Sequence, residues 1–228
     1  MQSTPVKIII PGANPVLARH ENYLASDSLW TVVSKQHPLS DAHYRPASLT
    51  KPTVATNEQK SVDEQSLRSD IITPLTTMFT AAKAAGFDLM VASGFRSYEL
   101  QQTYFSNYSA QYGEAAANTF SARPGQSEHQ TGLALDISLT SRECYLDTCF
   151  GELPAGKWLA AHAYEYGFIL RYPADKTEIT QYQYEPWHFR YVGPELAKAL
   201  HSSSLTLDEA YPYLQNAREQ LMKQGIVK

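Results

Sequence analysis

Two short segments of the sequence concentrate side chains that could bind a metal ion and activate water. The first, residues 127–136 (SEHQTGLALD), contains His129 and Asp136, and the second, residues 185–188 (EPWH), contains Glu185 and His188. Two imidazoles and one carboxylate are a common ligand set for a catalytic zinc that keeps an open coordination position. A further carboxylate that is not a ligand can act as a general base beside such a metal. The two segments therefore predict a hydrolytic metal site.

The spacing of three residues between Glu185 and His188 is unusual for a strand, because it points the two side chains to opposite faces. Pro186 favours a bend at the entry to the strand, and a bend could bring both side chains into one cavity. Each feature is weak alone, since a single histidine before a glycine, such as His129, is more often a loop or core residue. The metal hypothesis therefore depends on the combination of both segments.

Hydrophobic spacing and capping signals predict the elements that position these residues. Residues 1–66 are rich in Pro, Ser, Thr and Asn and predict an extended arm with short strands around residues 29–33. Helices are predicted to begin at Thr73 (as N-cap, with Pro74 at N1), near Ser97, and at residues 114, 156, 194 and 206. Strands are predicted at residues 87–92, 133–139, 168–171 and 187–192.

The order of these elements predicts the fold class. Helices come early and strands gather in the middle of the chain, which is typical of an α+β fold with a small antiparallel sheet flanked by helices. We expect residues 1–66 to form an N-terminal arm packed on the body and residues 67–195 to form the core. Residues 196–228 are expected to form the C-terminal helices of the same domain.

Composition limits the classes of function. The 228 residues include 19 basic and 23 acidic side chains, for a formal net charge of −4, which argues against a nucleic-acid partner. No stretch approaches the roughly 18 apolar residues of a transmembrane helix. The apolar run at residues 6–10 is too short for a signal peptide. The sequence thus indicates either a cytoplasmic protein or an exported one without its targeting segment.

The two cysteines, Cys144 and Cys149, lie in a polar stretch. A zinc site needs four ligands, and no other Cys or His stands beside them in the sequence. Two interpretations remain open. The thiols are unrelated, or they form a local disulfide that closes a surface loop, which would imply an oxidising compartment.

Two motifs of serine hydrolases are incomplete. Ser48 and Lys51 match the S-x-x-K of penicillin-binding serine carboxypeptidases, but the sequence lacks the S-D-N and K-T-G motifs that accompany it. Gly125 and Ser127 start a G-x-S-x-G pattern that ends in His129 instead of glycine. A serine nucleophile is therefore disfavoured.

Four motifs occur in order at compatible spacings and identify a family resemblance. They are residues 93–101 (SGFRSYELQ), the S-x-H-x-x-G-x-A-x-D pattern of 127–136, residues 166–173 (YGFILRYP) and residues 185–193 (EPWHFRYVG). Over residues from about 30 to 195, the sequence resembles the VanY-type D-alanyl-D-alanine carboxypeptidase family of bacterial zinc peptidases, which includes LD-carboxypeptidases. Residues 1–28 and 196–228 carry no motif, and the 144–149 stretch looks like an insertion.

The resemblance implies a role for each matched residue. His129, Asp136 and His188 would hold Zn²⁺ at the edge of the sheet, and Glu185 would be the base that takes a proton from the attacking water. Arg96 would pair with the C-terminal carboxylate of the substrate, since its planar fork can donate two parallel hydrogen bonds. The matched pocket positions are Gln101, Ser127 and Tyr172, with Trp187 beside the metal.

The resemblance also implies the substrate class and the place of action. We expect removal of the C-terminal D-alanine from peptidoglycan stem peptides by D-alanyl-D-alanine cleavage, with LD-cleavage of the tetrapeptide stem as the alternative. A zinc-holding module that binds peptide without cleaving it is a more distant alternative, because both Glu185 and Arg96 are present. The full-length protein is expected to be a monomer that is secreted or membrane-anchored, which a Cys144–Cys149 disulfide would fit.

Overall fold

The computed structural model of the chain describes residues 5–14, 16–19 and 23–227. These residues contain eight short strands: β1 Val6–Ile8, β2 Leu17–Arg19, β3 Leu49–Thr50, β4 Leu67–Arg68, β5 Leu89–Ser93, β6 Ala134–Leu139, β7 Phe168–Leu170 and β8 His188–Tyr191. They also contain seven α-helices: α1 Ile72–Ala84, α2 Tyr98–Tyr112, α3 Glu114–Phe120, α4 Pro154–His162, α5 Thr177–Thr180, α6 Pro194–Ser203 and α7 Leu207–Lys223. None of the described helices has the length and apolar character needed to span a bilayer.

A four-stranded antiparallel sheet in the order β5-β6-β8-β7 organises the structure, and two-stranded pairs β1-β2 and β3-β4 accompany it. One apolar cluster packs one face of this sheet against α1 and α4, as shown by the fully buried Ile137, Leu75 and Leu159. Burying such a side chain contributes about 1.5–3 kcal/mol relative to leaving it exposed. The prediction of an α+β fold with a small antiparallel sheet is confirmed.

A second apolar cluster joins the beginning and the end of the chain. It contains Val6 and Ile8 of β1, Trp30, and the apolar faces of α6 and α7. The Trp30 indole Nε1 donates a hydrogen bond to the Val192 carbonyl at 2.7 Å, which ties the N-terminal segment to the end of β8. Parts of the predicted N-terminal and C-terminal segments, residues 1–4, 15, 20–22 and 228, lie outside the described residues. The division of the chain into three segments at residues 66 and 195 stays a prediction.

Most capping predictions are confirmed. Ser97 caps α2 by accepting from Leu100 N–H, and Thr206 and Glu209 form the reciprocal capping box of α7. The start of α1 is a correction: it begins at Ile72 after a 3-10 turn at Ser69–Ile71, not at the Thr73–Pro74 pair. Pro74 lies in the first helical turn, where its missing N–H costs no hydrogen bond.

The predicted strands around residues 29–33 are wrong, since the structure has no strand there. The side chain of Arg190 donates hydrogen bonds to this segment, to the carbonyls of Leu29 at 3.2 Å and Thr31 at 2.7 Å. Backbone groups that serve a buried guanidinium are not available for a strand ladder. Residues 29 and 30 form a turn in which Thr31 N–H donates to the Ser28 carbonyl, and the side chain of Arg190 takes the place of a neighbouring strand.

Candidate active site

The register of the central strands brings Asp136 and His188 together. Asp136 of β6 lies directly opposite His188 of β8, and Ser93 of β5 is the other partner of Asp136. Directly paired residues project to the same face of a sheet. The two ligand candidates therefore share one face and belong to the inner strands β6 and β8. This refines the expectation of a site at the sheet edge.

A 3-10 turn at Glu128–Thr131 brings His129 to the same place. Gly132 ends the turn in the left-handed conformation, with φ of 68°, and a Cβ there would approach the Arg68 backbone nitrogen to 3.2 Å. The imidazole Nδ1 of His129 lies 2.7 Å from the Gly94 carbonyl oxygen, and its Nε2 lies 3.5 Å from Asp136 Oδ2. The carbonyl thus orients the ring so that Nε2 faces the carboxylate.

The predicted bend between Glu185 and His188 is present. His188 N–H donates to the Glu185 carbonyl at 3.0 Å and closes a turn through Pro186 and Trp187, while Glu185 N–H donates to Tyr172 O at 3.1 Å. As a result, Glu185 Oε2 lies 3.6 Å from His188 Nδ1. A spacing of three residues therefore delivers both side chains to one site because the strand begins only at His188.

The three ligand candidates fit a zinc ion. One ligand atom from each of His129, Asp136 and His188 can be chosen so that all lie within 4.8 Å of one another, and all three residues are buried. His188 Nδ1 lies 3.4 Å from Asp136 Oδ1, a buried oxygen with no hydrogen-bond partner among the described residues. Tetrahedral zinc with bonds of about 2.0–2.1 Å holds its ligand atoms about 3.3–3.4 Å apart. A donor set of two imidazoles and a carboxylate suits that metal.

Burial and neighbouring charges shift the pKa values of the two carboxyls of the site in opposite directions. Burial opposes ionisation of Asp136, but the adjacent His129 and His188 outweigh it and hold the Asp136 pKa well below its ordinary range. Burial raises the pKa of Glu185 to about 8, against the opposing effect of His188. A carboxylate whose pKa is raised in this way is a stronger base than a solvated one. Asp136 therefore suits a ligand and Glu185 suits a proton acceptor.

Arg96 lies on the cavity wall, and Gln101 lies behind it. The Gln101 amide oxygen accepts from Arg96 Nη1 at 2.8 Å, and its nitrogen donates to the Ala122 carbonyl at 2.6 Å. Arg96 Nη2 lies 3.4 Å from Ser93 Oγ and 3.8 Å from Asp136 Oδ2. The expectation that Gln101 lines the pocket is corrected, because this fully buried side chain uses its polar groups to fix the guanidinium.

A cavity of about 300 Å³ opens over these residues. Ser127, Tyr172 and Trp187 line it, as expected from their positions in the motifs. Sequence reasoning missed much of the outer wall, which consists of Lys60, Tyr104, Tyr108, Phe120, Leu146, Tyr182 and Gln183. Tyr104 and Tyr108 of α2 recur at helical spacing, a pattern that more often indicates a face buried in the core than a cavity wall. In contrast, Ser48 and Lys51 are exposed, and Lys51 pairs with Glu58 at 3.0 Å.

Cys144 and Cys149 form a disulfide, which decides between the two interpretations of these residues. The bridge closes a loop that places Leu146 on the cavity wall. Cys144 and Leu146 have positive φ values of 51° and 50°, a region that residues with a Cβ rarely adopt. The disulfide therefore restrains an unfavourable loop conformation beside the candidate site.

Replacing both Cys144 and Cys149 by Ser is expected to lower the free energy of unfolding by about 2 kcal/mol, because the cross-link no longer restricts the unfolded chain. Urea unfolding of the oxidised protein and of the double variant measures this difference. Wild-type protein unfolded with a thiol reductant should match the variant, and the reductant should leave the variant unchanged. Equal stability of oxidised and reduced wild-type protein would contradict the prediction.

Comparison with known proteins gives a consistent result. The family model described as VanY, D-alanyl-D-alanine carboxypeptidase, matches residues 64–194. A putative carboxypeptidase of Bacillus subtilis, YodJ, is 43% identical over 185 residues, which cover 81% of this chain and 67% of the relative. The chain spans between 41% and 68% of the length of four curated relatives that it matches.

Two solved structures share the fold closely. The LD-carboxypeptidase LdcB is 42% identical with a TM-score of 0.78, and the match covers 82% of this chain and 87% of LdcB. The D,D-pentapeptidase VanY of a VanB-type vancomycin resistance cassette, solved in complex with Zn(II), is 36% identical with a TM-score of 0.66, covering 80% of this chain and 98% of that one. Residues 64–194, which the family model matches, contain His129, Asp136 and His188. The chain belongs to the VanY family of D-alanyl-D-alanine carboxypeptidases.

Proposed function

We propose that this chain is a zinc-dependent carboxypeptidase that removes the C-terminal D-alanine from peptidoglycan stem peptides by D-alanyl-D-alanine cleavage. The observation that carries the proposal is one cavity in which three buried ligand candidates, a second carboxyl (Glu185) and an arginine meet. Glu185 lies 3.6 Å from His188, and Arg96 Nη2 lies 3.8 Å from Asp136. A carboxypeptidase requires this combination, because it must bind a carboxylate beside the bond that it hydrolyses.

In this proposal, His129 through Nε2, Asp136 and His188 hold the metal. Zinc, when bound, supplies a Lewis acid for the amide carbonyl and lowers the pKa of water to about 7. Glu185 accepts a proton from the attacking water and returns it to the leaving amine, a role for which its raised pKa of about 8 is suited. Its position beside the ligands, rather than among them, keeps the carboxylate free for proton transfer.

Arg96 orients the substrate. Its guanidinium is held by Gln101 on one side and approached by Ser93 on the other, at 2.8 and 3.4 Å. A fork fixed in this way loses little freedom when it pairs with a carboxylate, so it can place the scissile amide accurately. Ser127, Tyr172 and Trp187 are proposed to contact the peptide, since all three line the cavity.

The substrate class places the activity outside the cytoplasmic membrane. We therefore propose that the full-length protein is secreted or membrane-anchored and that it acts as a monomer. The Cys144–Cys149 disulfide supports this location, because such bridges persist in oxidising compartments.

LD-cleavage of the tetrapeptide stem is the second candidate, and it is favoured by one observation: the LD-carboxypeptidase LdcB matches at 42% identity with a TM-score of 0.78. Both reactions release a C-terminal D-alanine, so Arg96 serves either. The difference lies in the pocket for the preceding residue.

We expect a higher kcat/KM on a pentapeptide that ends in D-alanyl-D-alanine than on the matched tetrapeptide. Because a small group in an apolar pocket changes the rate by only about 10–200-fold, measurable activity on both is expected. The measurement is D-alanine release from the two peptides at equal enzyme and zinc concentrations. A preference of about tenfold for the tetrapeptide would favour LD-cleavage instead.

A further inference from the structure

Glu128 is a fully buried carboxylate behind the ligand cluster, and the proposed mechanism gives it no role. It begins the 3-10 turn that carries His129 and is 1% exposed. A buried charge is costly unless it is paired and hydrogen-bonded. Its partners therefore indicate what it does.

The two oxygens of Glu128 face different groups. Oε1 accepts hydrogen bonds from Arg171 Nε and Arg190 Nη1, each at 2.9 Å. Oε2 lies 3.6 Å from His188 Nε2. Neither Oε2 nor that Nε2 has a hydrogen-bond partner among the described residues. Two unpartnered buried polar atoms therefore face each other.

The two arginines are themselves fixed, which prevents the carboxylate from turning. Arg171 pairs with Asp208 at the start of α7, and Arg190 donates to the Thr31 carbonyl at 2.7 Å. Burial alone would disfavour the charge of Glu128, but the two guanidinium groups compensate for it through ion pairs at 2.9 Å. Glu128 thus presents a charged, immobile acceptor to the far side of the His188 ring.

The near side of the same ring faces the candidate metal site. His188 Nδ1 lies 3.4 Å from Asp136 Oδ1 and 3.6 Å from Glu185 Oε2. A neutral imidazole carries its proton on one nitrogen only, and the hydrogen bond made by one nitrogen decides which form the other takes. With a metal ion bound at Nδ1, the ring proton would lie on Nε2, and Glu128 Oε2 is the carboxylate oxygen that faces it.

We propose that Glu128 is a positioning residue that accepts a hydrogen bond from the Nε2–H group of His188 and so presents Nδ1 as the ligand atom. This inference depends on the proposed zinc site. Carboxylates that orient metal-binding histidines in this way contribute about 10–100-fold to metal affinity. Arg171 and Arg190 then have an indirect function, since they hold the carboxylate that holds the ring.

The test is the variant E128Q. The amide oxygen of Gln is its only acceptor, so the two arginines keep that oxygen and the amide NH₂ faces His188 Nε2. This donor favours the opposite tautomer, with the proton on Nδ1. We expect zinc affinity, measured by competition with a chelator of known affinity, to fall about 10–100-fold.

The matched control is E209Q, which makes the same chemical change at a carboxylate that bonds Lys176 and the Thr206 cap instead of the two arginines. We expect E209Q to lower stability but to keep zinc affinity within a few-fold of the wild type. Equal affinity losses in E128Q and E209Q would show a merely structural role and overturn the proposal.

A second measurement does not depend on any variant. In the zinc-loaded wild-type protein, nitrogen–proton NMR correlation should show a slowly exchanging proton on His188 Nε2. A proton on Nδ1 would overturn the inference, even if E128Q failed to fold. Wild-type protein that binds no zinc would overturn the proposed function together with this inference, whereas zinc binding that is equal in wild type and E128Q would overturn the inference alone.

Discussion

Replacing Glu185 by Gln will lower kcat by about 10²–10⁴-fold while the protein stays folded and retains its zinc. Gln matches the shape of Glu but cannot accept the proton that the reaction must remove. The backbone bonds that form the turn do not involve the replaced group, since Glu185 N–H donates to Tyr172 O and its carbonyl accepts from His188 N–H. Initial rates on a D-alanine-terminated peptide, with zinc content measured by elemental analysis, test both parts of this expectation.

The control for this variant is Glu152→Gln, which makes the same chemical change at an exposed side chain paired with Lys157 at 3.3 Å. It should leave kcat and zinc content unchanged. A Glu185→Gln protein with nearly normal kcat would mean that another group takes the proton. If the variant lost its zinc as well, Glu185 would belong to the ligand set and not to proton transfer.

The residue types and their motif spacing predicted the cluster, but not the way in which it assembles. Asp136 and His188 are 52 positions apart in the sequence, and they meet because β6 and β8 pair directly although β7 lies between them in the chain. That register depends on long-range packing of the apolar face. The bend at Pro186, in contrast, was predictable because proline restricts the local backbone.

The predictions that failed have a common physical origin: buried polar side chains form hydrogen bonds with groups that are distant in the sequence. Gln101 lies at a helical position that reaches the site, yet hydrophobic periodicity cannot show that its amide is used to hold Arg96. Glu128 stands inside the best motif, but its partners could not be read from the motif, because Arg171 comes from the end of β7 and Arg190 from β8. The interpretation of residues 29–33 as strands failed for the same reason, since Arg190 occupies their carbonyls.

Replacing His188 by Ala will abolish zinc-dependent activity and remove the stabilisation that zinc gives to the fold. A catalytic zinc site of this type has three protein ligands, so the loss of one leaves an incomplete set. A ligand that binds only the folded protein stabilises it by about 4.1 kcal/mol at a free concentration one thousand times its Kd. Wild-type Tm should therefore fall when a chelator removes the metal, and the Tm of His188→Ala should not respond.

The response of Tm to the chelator, and not Tm itself, is the decisive measurement. The His188 ring packs against Tyr172 with a centroid distance of 4.8 Å, so alanine lowers Tm through lost packing whether or not a metal binds. His162→Ala is the matched control, because its ring lies on the half-exposed surface of α4 and contacts Glu165 at 3.0 Å. This control should keep the full chelator response of the wild type. A His188→Ala protein whose Tm still falls on chelation would show that His188 is not required for the metal, and the ligand set would have to be reassigned.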